Sequence, residues 1–380
     1  MTPDPHTLNA LDSDRAMQLA LDLALLAIGL SEPNPRVGCV ITTVEGRVIG
    51  QGHTQHAGGA HAEVMALRDA QARGESVVGA VVHVTLEPCA HFGRTPPCCD
   101  ALIAAQVGEV IYALQDPNPL TAGQGARRLQ DAGITVSLLR AGALATQAHE
   151  LNIGFFSRMQ RARPWVRMKV AISLDGRTAL NNGVSQWITG EAARADGHAW
   201  RKRAGACLTG VGTVLEDNPR LDVRWLSTAR QPLRVVVDSR LETPVNSRIL
   251  DAPGSALIYA AQDNAERREA LQARGADIAM AASHTGKVDL SALLSDLAKR
   301  GINELHVEAG HKLNGSFVRE GLVDEFLIYM APMLIGSGRE LAAWGPLESL
   351  SDALRLRWHS VTPIGNDLRL LLRPEVAPLN

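Results

Sequence analysis

Thr85-Leu86-Glu87-Pro88-Cys89-Ala90-His91-Phe92-Gly93-Arg94-Thr95-Pro96-Pro97-Cys98-Cys99-Asp100-Ala101-Leu102 runs from the end of a strand-like stretch into a helix-like one, and His61-Ala62-Glu63 stands upstream of it. His61, Cys89 and Cys98 offer one imidazole and two thiols. Three protein ligands leave the fourth tetrahedral position of a zinc ion open to water, whereas a structural zinc closes all four. The metal lowers the pKa of that water, and a nearby carboxylate, Glu63, can move its proton without ligating the ion. Residues two apart on a helix point about 200° apart, so His61 and Glu63 share a pocket only at the helix's first turn. If Cys98 likewise opens a helix, two N-termini converge on the metal and their dipoles favour thiolate. A structural four-ligand site would need Cys99 as well, which the tendency of adjacent cysteines to point apart disfavours. The plainer alternative takes the cysteines as small buried hydrophobes.

Strands and helices alternate on both sides of this stretch. A helix is expected over 14–28 with Ser13 as its cap, then a strand at 37–42, a turn at Glu45-Gly46 and a helix over 61–72. Strand 80–86, helix 100–106, strand 109–114, helix 125–132 and strand 134–138 follow. This alternation implies a mainly parallel sheet covered on both faces. It pauses over 144–163, a polar helical stretch ending in a basic run before Pro164. The expected domains are therefore residues 1–150 and 151–380. In the second, strands are expected at 166–172, 206–210, 233–238, 304–308, 325–331 and 368–372, with helices at 191–203, 265–274, 290–299 and 313–320.

Composition narrows the function. The 380 residues are 46% hydrophobic and 21% charged, which excludes a disordered or fibrous chain. Residues 1–150 hold nine arginines, no lysine and fifteen acids, a net of −6, and this repels a polynucleotide. The remainder carries a net of +4, which suits small phosphorylated ligands. Asp4, Asp12 and Asp14 do not make a signal peptide, and the apolar stretch 19–30 is too short to span a bilayer. Five cysteines do not make a disulfide scaffold. The expectation is a cytoplasmic protein acting on a small molecule, with no nucleic-acid or membrane partner.

His-x-Glu, then Pro-Cys, then Cys is the pattern of zinc deaminases, although their usual Pro-Cys-x-x-Cys spacing is stretched here to eight intervening residues. With Asn34-Pro35-Arg36-Val37-Gly38-Cys39 and His61-Ala62-Glu63-Val64, the stretch resembles the bifunctional deaminase–reductase family of riboflavin biosynthesis, long spacing included. The second half carries the likeness further, in Ala171 to Thr178, Ser185 to Thr189, Gly212 to Pro219 and Val307 to Gly310, so that it extends from about Asp14 to the C-terminus.

The resemblance implies an α/β protein with an N-terminal cytidine-deaminase-like domain and a C-terminal dihydrofolate-reductase-like domain. It implies zinc-dependent deamination of 2,5-diamino-6-ribosylamino-4(3H)-pyrimidinone 5′-phosphate, then NADPH-dependent reduction of the ribosyl group to ribityl. His61, Cys89 and Cys98 would hold zinc and Glu63 would shuttle protons. Asn34 and His53 would orient the pyrimidine, with His91 and Arg94 at its phosphate. NADP contacts would fall at Ala171, Trp187, Thr213, Asp217, Ser239 and the run Gly310-His311-Lys312-Leu313-Asn314-Gly315-Ser316. Ser185, Arg201, Leu221, Arg224 and Glu308 would contact the substrate.

The residues alone leave more open. No G-x-G-x-x-G occurs in the second half, and the Gly310 run is either a phosphate-binding turn before a helix or a plain turn. Arg94 is a phosphate fork or a solvated loop charge. Arg201 and Arg224 suit a sugar phosphate, and Glu308 suits hydroxyls. Lys169, Asp217 and Glu308 are all candidate proton sources for the reduction. Alternatives for the whole chain are a monofunctional zinc deaminase with a nucleotide-sensing second domain, or a structural zinc protein. Two-site pathway enzymes often associate, so a homo-oligomer is compatible with the reading.

Overall fold

The structure, a computed structural model, describes residues 11–93, 95–119 and 121–375. The chain divides into two compact units, Met1–Ala162 and Arg163–Asn380.

The first unit opens with helix α1 (Ser13–Leu25), capped one residue earlier than expected because the Asp12 carboxylate accepts the Arg15 N–H at 2.8 Å. Strands β1 (Gly38–Thr42) and β2 (Val48–His53) form a hairpin. They are followed by α2 (Ala62–Ala72), β3 (Val81–Val84), α3 (Cys98–Ala104), β4 (Glu109–Tyr112), α4 (Gln124–Asp131), β5 (Thr135–Leu138), α5 (Ala143–Leu151) and α6 (Ile153–Arg161). The sheet order is β2-β1-β3-β4-β5. Only β3, β4 and β5 are parallel; β1 runs antiparallel to both neighbours. The mainly parallel sheet expected from alternation is thus a mixed one, since a tight hairpin can join only antiparallel strands. Helix α6 belongs to this unit: Phe156 packs into its core, and the helix ends on Ala162 at φ 52°.

The second unit contains β6 (Trp165–Ser173), β7 (Arg177–Leu180), α7 (Glu191–Arg203), β8 (Ala206–Gly210), α8 (Val211–Asp217), β9 (Leu233–Val237), α9 (Arg248–Asp251), β10 (Ala256–Ala260), α10 (Ala265–Ala273), β11 (Ala276–Met280), α11 (Leu290–Lys299), β12 (Glu304–Val307), α12 (His311–Arg319), β13 (Glu325–Ala331), β14 (Gly338–Glu340), β15 (Leu356–Ile364) and β16 (Asp367–Pro374). Nine strands pair in the order β11-β10-β9-β8-β12-β6-β13-β16-β15. The seven from β11 to β13 are parallel, and β16 and β15 extend the sheet antiparallel. Buried strands such as Val235-Val236 and helix α11 (Leu293, Leu294, Leu297) supply the apolar core. Residues 368–372 lie within β16, which sits inside the sheet rather than closing it; its outer neighbour β15 has no buried position and contains Pro363, so it does not read as a strand.

One charged cluster crosses that core. Arg167, 1% exposed, lies between Glu304 and Glu325, which also bind Arg203 and Arg373. Among the described residues, no helix is long and apolar enough to cross a membrane.

Candidate active sites

In the first unit the chain brings three donors together at two helix starts. His61 is the N-cap of α2 and Cys98 the first residue of α3, while Cys89 follows the end of β3. His61 Nδ1 lies 3.2 Å from Cys98 Sγ and 3.6 Å from Cys89 Sγ, and the three donor atoms are all within 4.8 Å of one another. The Cys98 N–H points at Cys89 Sγ from 3.3 Å. The Cys98 thiol, His61 and that N–H hold the Cys89 thiol down to about 4 against the effect of burial. One imidazole with a stabilised thiolate and a second thiol is the donor chemistry that zinc takes. Cys99 turns away, its Sγ donating to Pro88 O and Gly125 O at 3.3 and 3.6 Å.

Glu63, 4% exposed, is in the first turn of α2 and lines the same cavity of about 230 Å³ as His61 and Cys89. Burial pushes its carboxyl up to about 7, so it can both take and release a proton near neutrality. Asn34 and His91 also line the cavity; His53, at the end of β2, does not. Arg94 lies outside the described residues. Two of the described residues between Cys89 and Cys98 are anchored: Thr95 Oγ1 is 3.3 Å from His61 Nε2, and Arg128 donates to Ala90 O at 3.1 Å.

The sequence reading missed several wall residues. Phe155 and Met159 come from α6, one turn apart, and Asp116 and Asn118 follow β4. The last pair was findable, since ligands in such sheets bind beyond the carboxyl ends of parallel strands. Glu87 was less visible: its buried carboxylate accepts N–H groups of Asp116, Gly123 and Ala126 at 3.2, 3.0 and 3.1 Å and so fixes the 116–126 segment. Gly125 also lies against the backbone just before Cys89. A Cβ at Gly125 would lie 1.9 Å from Pro88 O, one residue from Cys89. Gly125→Ala is therefore expected to displace Cys89 and lower zinc retained after dialysis severalfold, with elemental analysis as the readout. Stoichiometric zinc in that variant would show the close approach to be dispensable.

The second unit holds a larger cavity, about 560 Å³, beyond the carboxyl ends of β6, β8 and β12. Glu308 sits at its floor, with Arg201 forking onto both carboxylate oxygens, Lys169 Nζ at 3.6 Å and His306 Nε2 at 3.3 Å. Burial opposes its charge, but Arg201 and Lys169 hold Glu308 well below the usual carboxylate range. The guanidinium expected to take a sugar phosphate at Arg201 is thus already occupied by a carboxylate. Arg224 Nη1 contacts Asp222 at 2.5 Å. His198, tilted against Trp225 at 4.6 Å between centroids, is lowered to about 4 by burial and then by Arg201 and Arg224.

Ala171, Trp187, Thr213, Asp217, Gly310, His311 and Asn314 line this cavity, as do Ser185 and Leu221. Thr213 and Asp217 share a face of α8, a helix the sequence reading did not find. Asn314 is 1% exposed; its Nδ2 donates to Leu341 O at 3.0 Å and its buried Oδ1 has no protein partner among the described residues. An acceptor left open in a cavity wall fits a ligand rich in hydroxyls and amides, such as a dinucleotide. The Gly310 run is corrected, however. Gly310 is only the N-cap, and 311–316 are already helical. Gly315 serves packing, because its Cβ would lie 2.3 Å from Ala343 O, and Leu313 packs into the core. Lys312 and Ser316 do not line the cavity, nor does Ser239, whose Oγ accepts the Val288 N–H at 3.2 Å.

Two family profiles match the chain: the cytidine and deoxycytidylate deaminase zinc-binding region over residues 11–114, and the RibD C-terminal domain over 164–370. The chain is 44% identical over 371 residues to riboflavin biosynthesis protein RibD of Escherichia coli (strain K12), covering 94% of this chain and 98% of that one. To RibD of Aquifex aeolicus (strain VF5) it is 38% identical over 357 residues, covering 94% and 97%. Among solved structures, Acinetobacter baumannii RibD superposes with a TM-score of 0.87 at 40% identity, over 96% and 99% of the two chains. A Thermotoga maritima diaminohydroxyphosphoribosylaminopyrimidine deaminase/5-amino-6-(5-phosphoribosylamino)uracil reductase superposes with a TM-score of 0.84 at 31% identity, over 95% and 98%.

Proposed function

The chain belongs to the RibD family of riboflavin biosynthesis, and from that premise we propose how its two cavities divide a deamination and a reduction between them. The first unit is the deaminase and the second the reductase. The substrate is 2,5-diamino-6-ribosylamino-4(3H)-pyrimidinone 5′-phosphate and the product 5-amino-6-ribitylaminouracil 5′-phosphate. The observation that carries this reading is Glu63, buried on the wall of the cavity that His61 and Cys89 also line, with the Cys98 thiol within 4.8 Å of their donor atoms.

His61, Cys89 and Cys98 would hold zinc, which when bound would supply a Lewis acid that makes water acidic near neutral pH. Glu63 takes the proton and delivers it to the departing amine, so that water enters and ammonia leaves. Asn34 orients the pyrimidine, Phe155 and Met159 give its ring an apolar wall, and His91 with Arg94 meets the phosphate end. In the second unit NADPH, when bound, would supply a hydride, and the balancing proton would come from Lys169, Asp217 or solvent water. Trp187, Thr213, Asp217, Gly310 and Asn314 receive the dinucleotide. Ser185, Leu221 and Arg224 receive the substrate, and Glu308, kept ionised by Arg201 and Lys169, accepts hydrogen bonds from its sugar hydroxyls. We place the reaction in the cytoplasm with a small molecule as its only substrate class; the −6 charge of residues 1–150 supports the second part, since it repels a polynucleotide.

A mass-spectrometric product assay tests the division of labour. Deamination is expected without NADPH, and the ribityl product only after its addition. Chelation of zinc is expected to stop the first step while leaving reduction of supplied deaminated intermediate at its full rate. Deamination that survives complete zinc removal would overturn the metal assignment. Accumulation of the deaminated intermediate despite NADPH would favour a nucleotide-sensing second unit.

A further inference from the structure

We propose that Arg248 binds a phosphomonoester in the second unit's cavity, either the 2′-phosphate of the dinucleotide or the 5′-phosphate of the pyrimidine. This rests on the reductase reading given above. Seven cationic side chains line that cavity against three carboxylates, a balance suited to polyanionic ligands. Six of the seven are already engaged. Lys169 and Arg201 serve Glu308, Arg220 and Arg224 serve Asp222, and Arg339 serves Glu216 at 2.7 Å. Arg194 donates to Thr189 O and lies 4.6 Å over the Trp187 ring. Arg248 alone has a guanidinium with no protein partner among the described residues.

Its side chain is exposed, but its backbone is anchored. The Arg248 N–H is held by Asn218 Oδ1 at 2.8 Å, and Asn218 ends α8, the helix that carries Thr213 and Asp217. The preceding turn is wound around Asp238, buried completely, whose carboxylate accepts from Glu242 N, Thr243 N and Thr243 Oγ1 at 2.9, 2.7 and 2.7 Å. A rigid backbone therefore presents a free guanidinium beyond the carboxyl end of β9, in line with the ligand-bearing ends of β8 and β12. A planar fork that is not already bound to a carboxylate is the group that recognises a phosphate dianion.

The test compares NADPH and NADH binding to the full-length wild type and to Arg248→Ala by calorimetry, along with the KM for deaminated substrate. Loss of about tenfold in NADPH affinity with NADH unchanged assigns the 2′-phosphate. Unchanged binding of both dinucleotides with a KM raised about tenfold assigns the 5′-phosphate. Arg248→Lys is expected to recover part of either loss, because it keeps the charge and gives up the fork. Equal losses for NADPH and NADH, or no change in any of the three quantities, overturn the proposal alone. A wild type that binds neither dinucleotide overturns the reductase reading and the proposal with it. Zinc content and deamination rate, which belong to the other unit, serve as folding controls.

Discussion

Glu63→Gln is expected to lower the deamination rate by about 10²- to 10⁴-fold, the range over which a positioned proton carrier acts. Glutamine keeps the volume of the side chain and its place in the first turn of α2, but it cannot take a proton from water. Zinc should stay bound, because the three donors that surround it come from His61, Cys89 and Cys98. Reduction of supplied deaminated intermediate should be unchanged. The effect should fall on kcat rather than KM, since the lost interaction belongs to the transition state. Stopped-flow detection of ammonia with zinc-replete protein measures it. A variant that keeps a tenth or more of wild-type kcat would remove Glu63 from the mechanism.

The second large effect lies far from either reaction. Glu325→Leu is expected to destabilise the second unit by about 3–5 kcal/mol, the usual cost of breaking a buried ion pair from one side. The Glu325 carboxylate, 1% exposed, accepts from Arg167 and, at 3.0 and 2.9 Å, from Arg373 Nε and Nη2. Without it, Arg167 keeps, among the described residues, Glu304, which it shares with Arg203, and the indole of Trp200 at 4.4 Å. For a domain of this size the melting temperature should fall by roughly 10 °C. Burial works against ionisation, but Arg167 and Arg373 outweigh it and hold the Glu325 pKa below its ordinary value. The stabilisation is therefore present above the unfolded carboxylate range and lost as pH falls through the lowered value, so the gap between variant and wild type should close only in strong acid. A calorimetric melt at neutral pH within 2 °C of wild type would show that the cluster contributes little.

The zinc site was legible because its chemistry is local in sequence. Two helix starts and one strand end carry all three donors, and only a helix's first turn lets His61 and Glu63 face one pocket. The reductase cavity was less legible because its walls are assembled across the sheet. Residue identity suggested Arg201 as a phosphate ligand, but the nearest anion turned out to be Glu308, 107 positions away in the chain. The Gly310 run looked like a turn because of its two glycines. Gly315 is in fact the residue that lets α12 touch the backbone of Ala343, a reason no local pattern displays. Strands β10 and β11 went unread because Ala256–Ala260 and Ala276–Met280 are short and alanine-rich.

The long separation of Cys89 and Cys98 has a thermodynamic consequence. Among the described residues of the strap that joins the two donors, His91 lines the cavity and Thr95 reaches His61. Because that strap carries a metal donor at each end and sets His91 in the cavity, any coupling between holding the ion and holding the pyrimidine must be the same size in both directions. Substrate affinity measured with and without zinc, against zinc affinity measured with and without substrate, reads its sign and size.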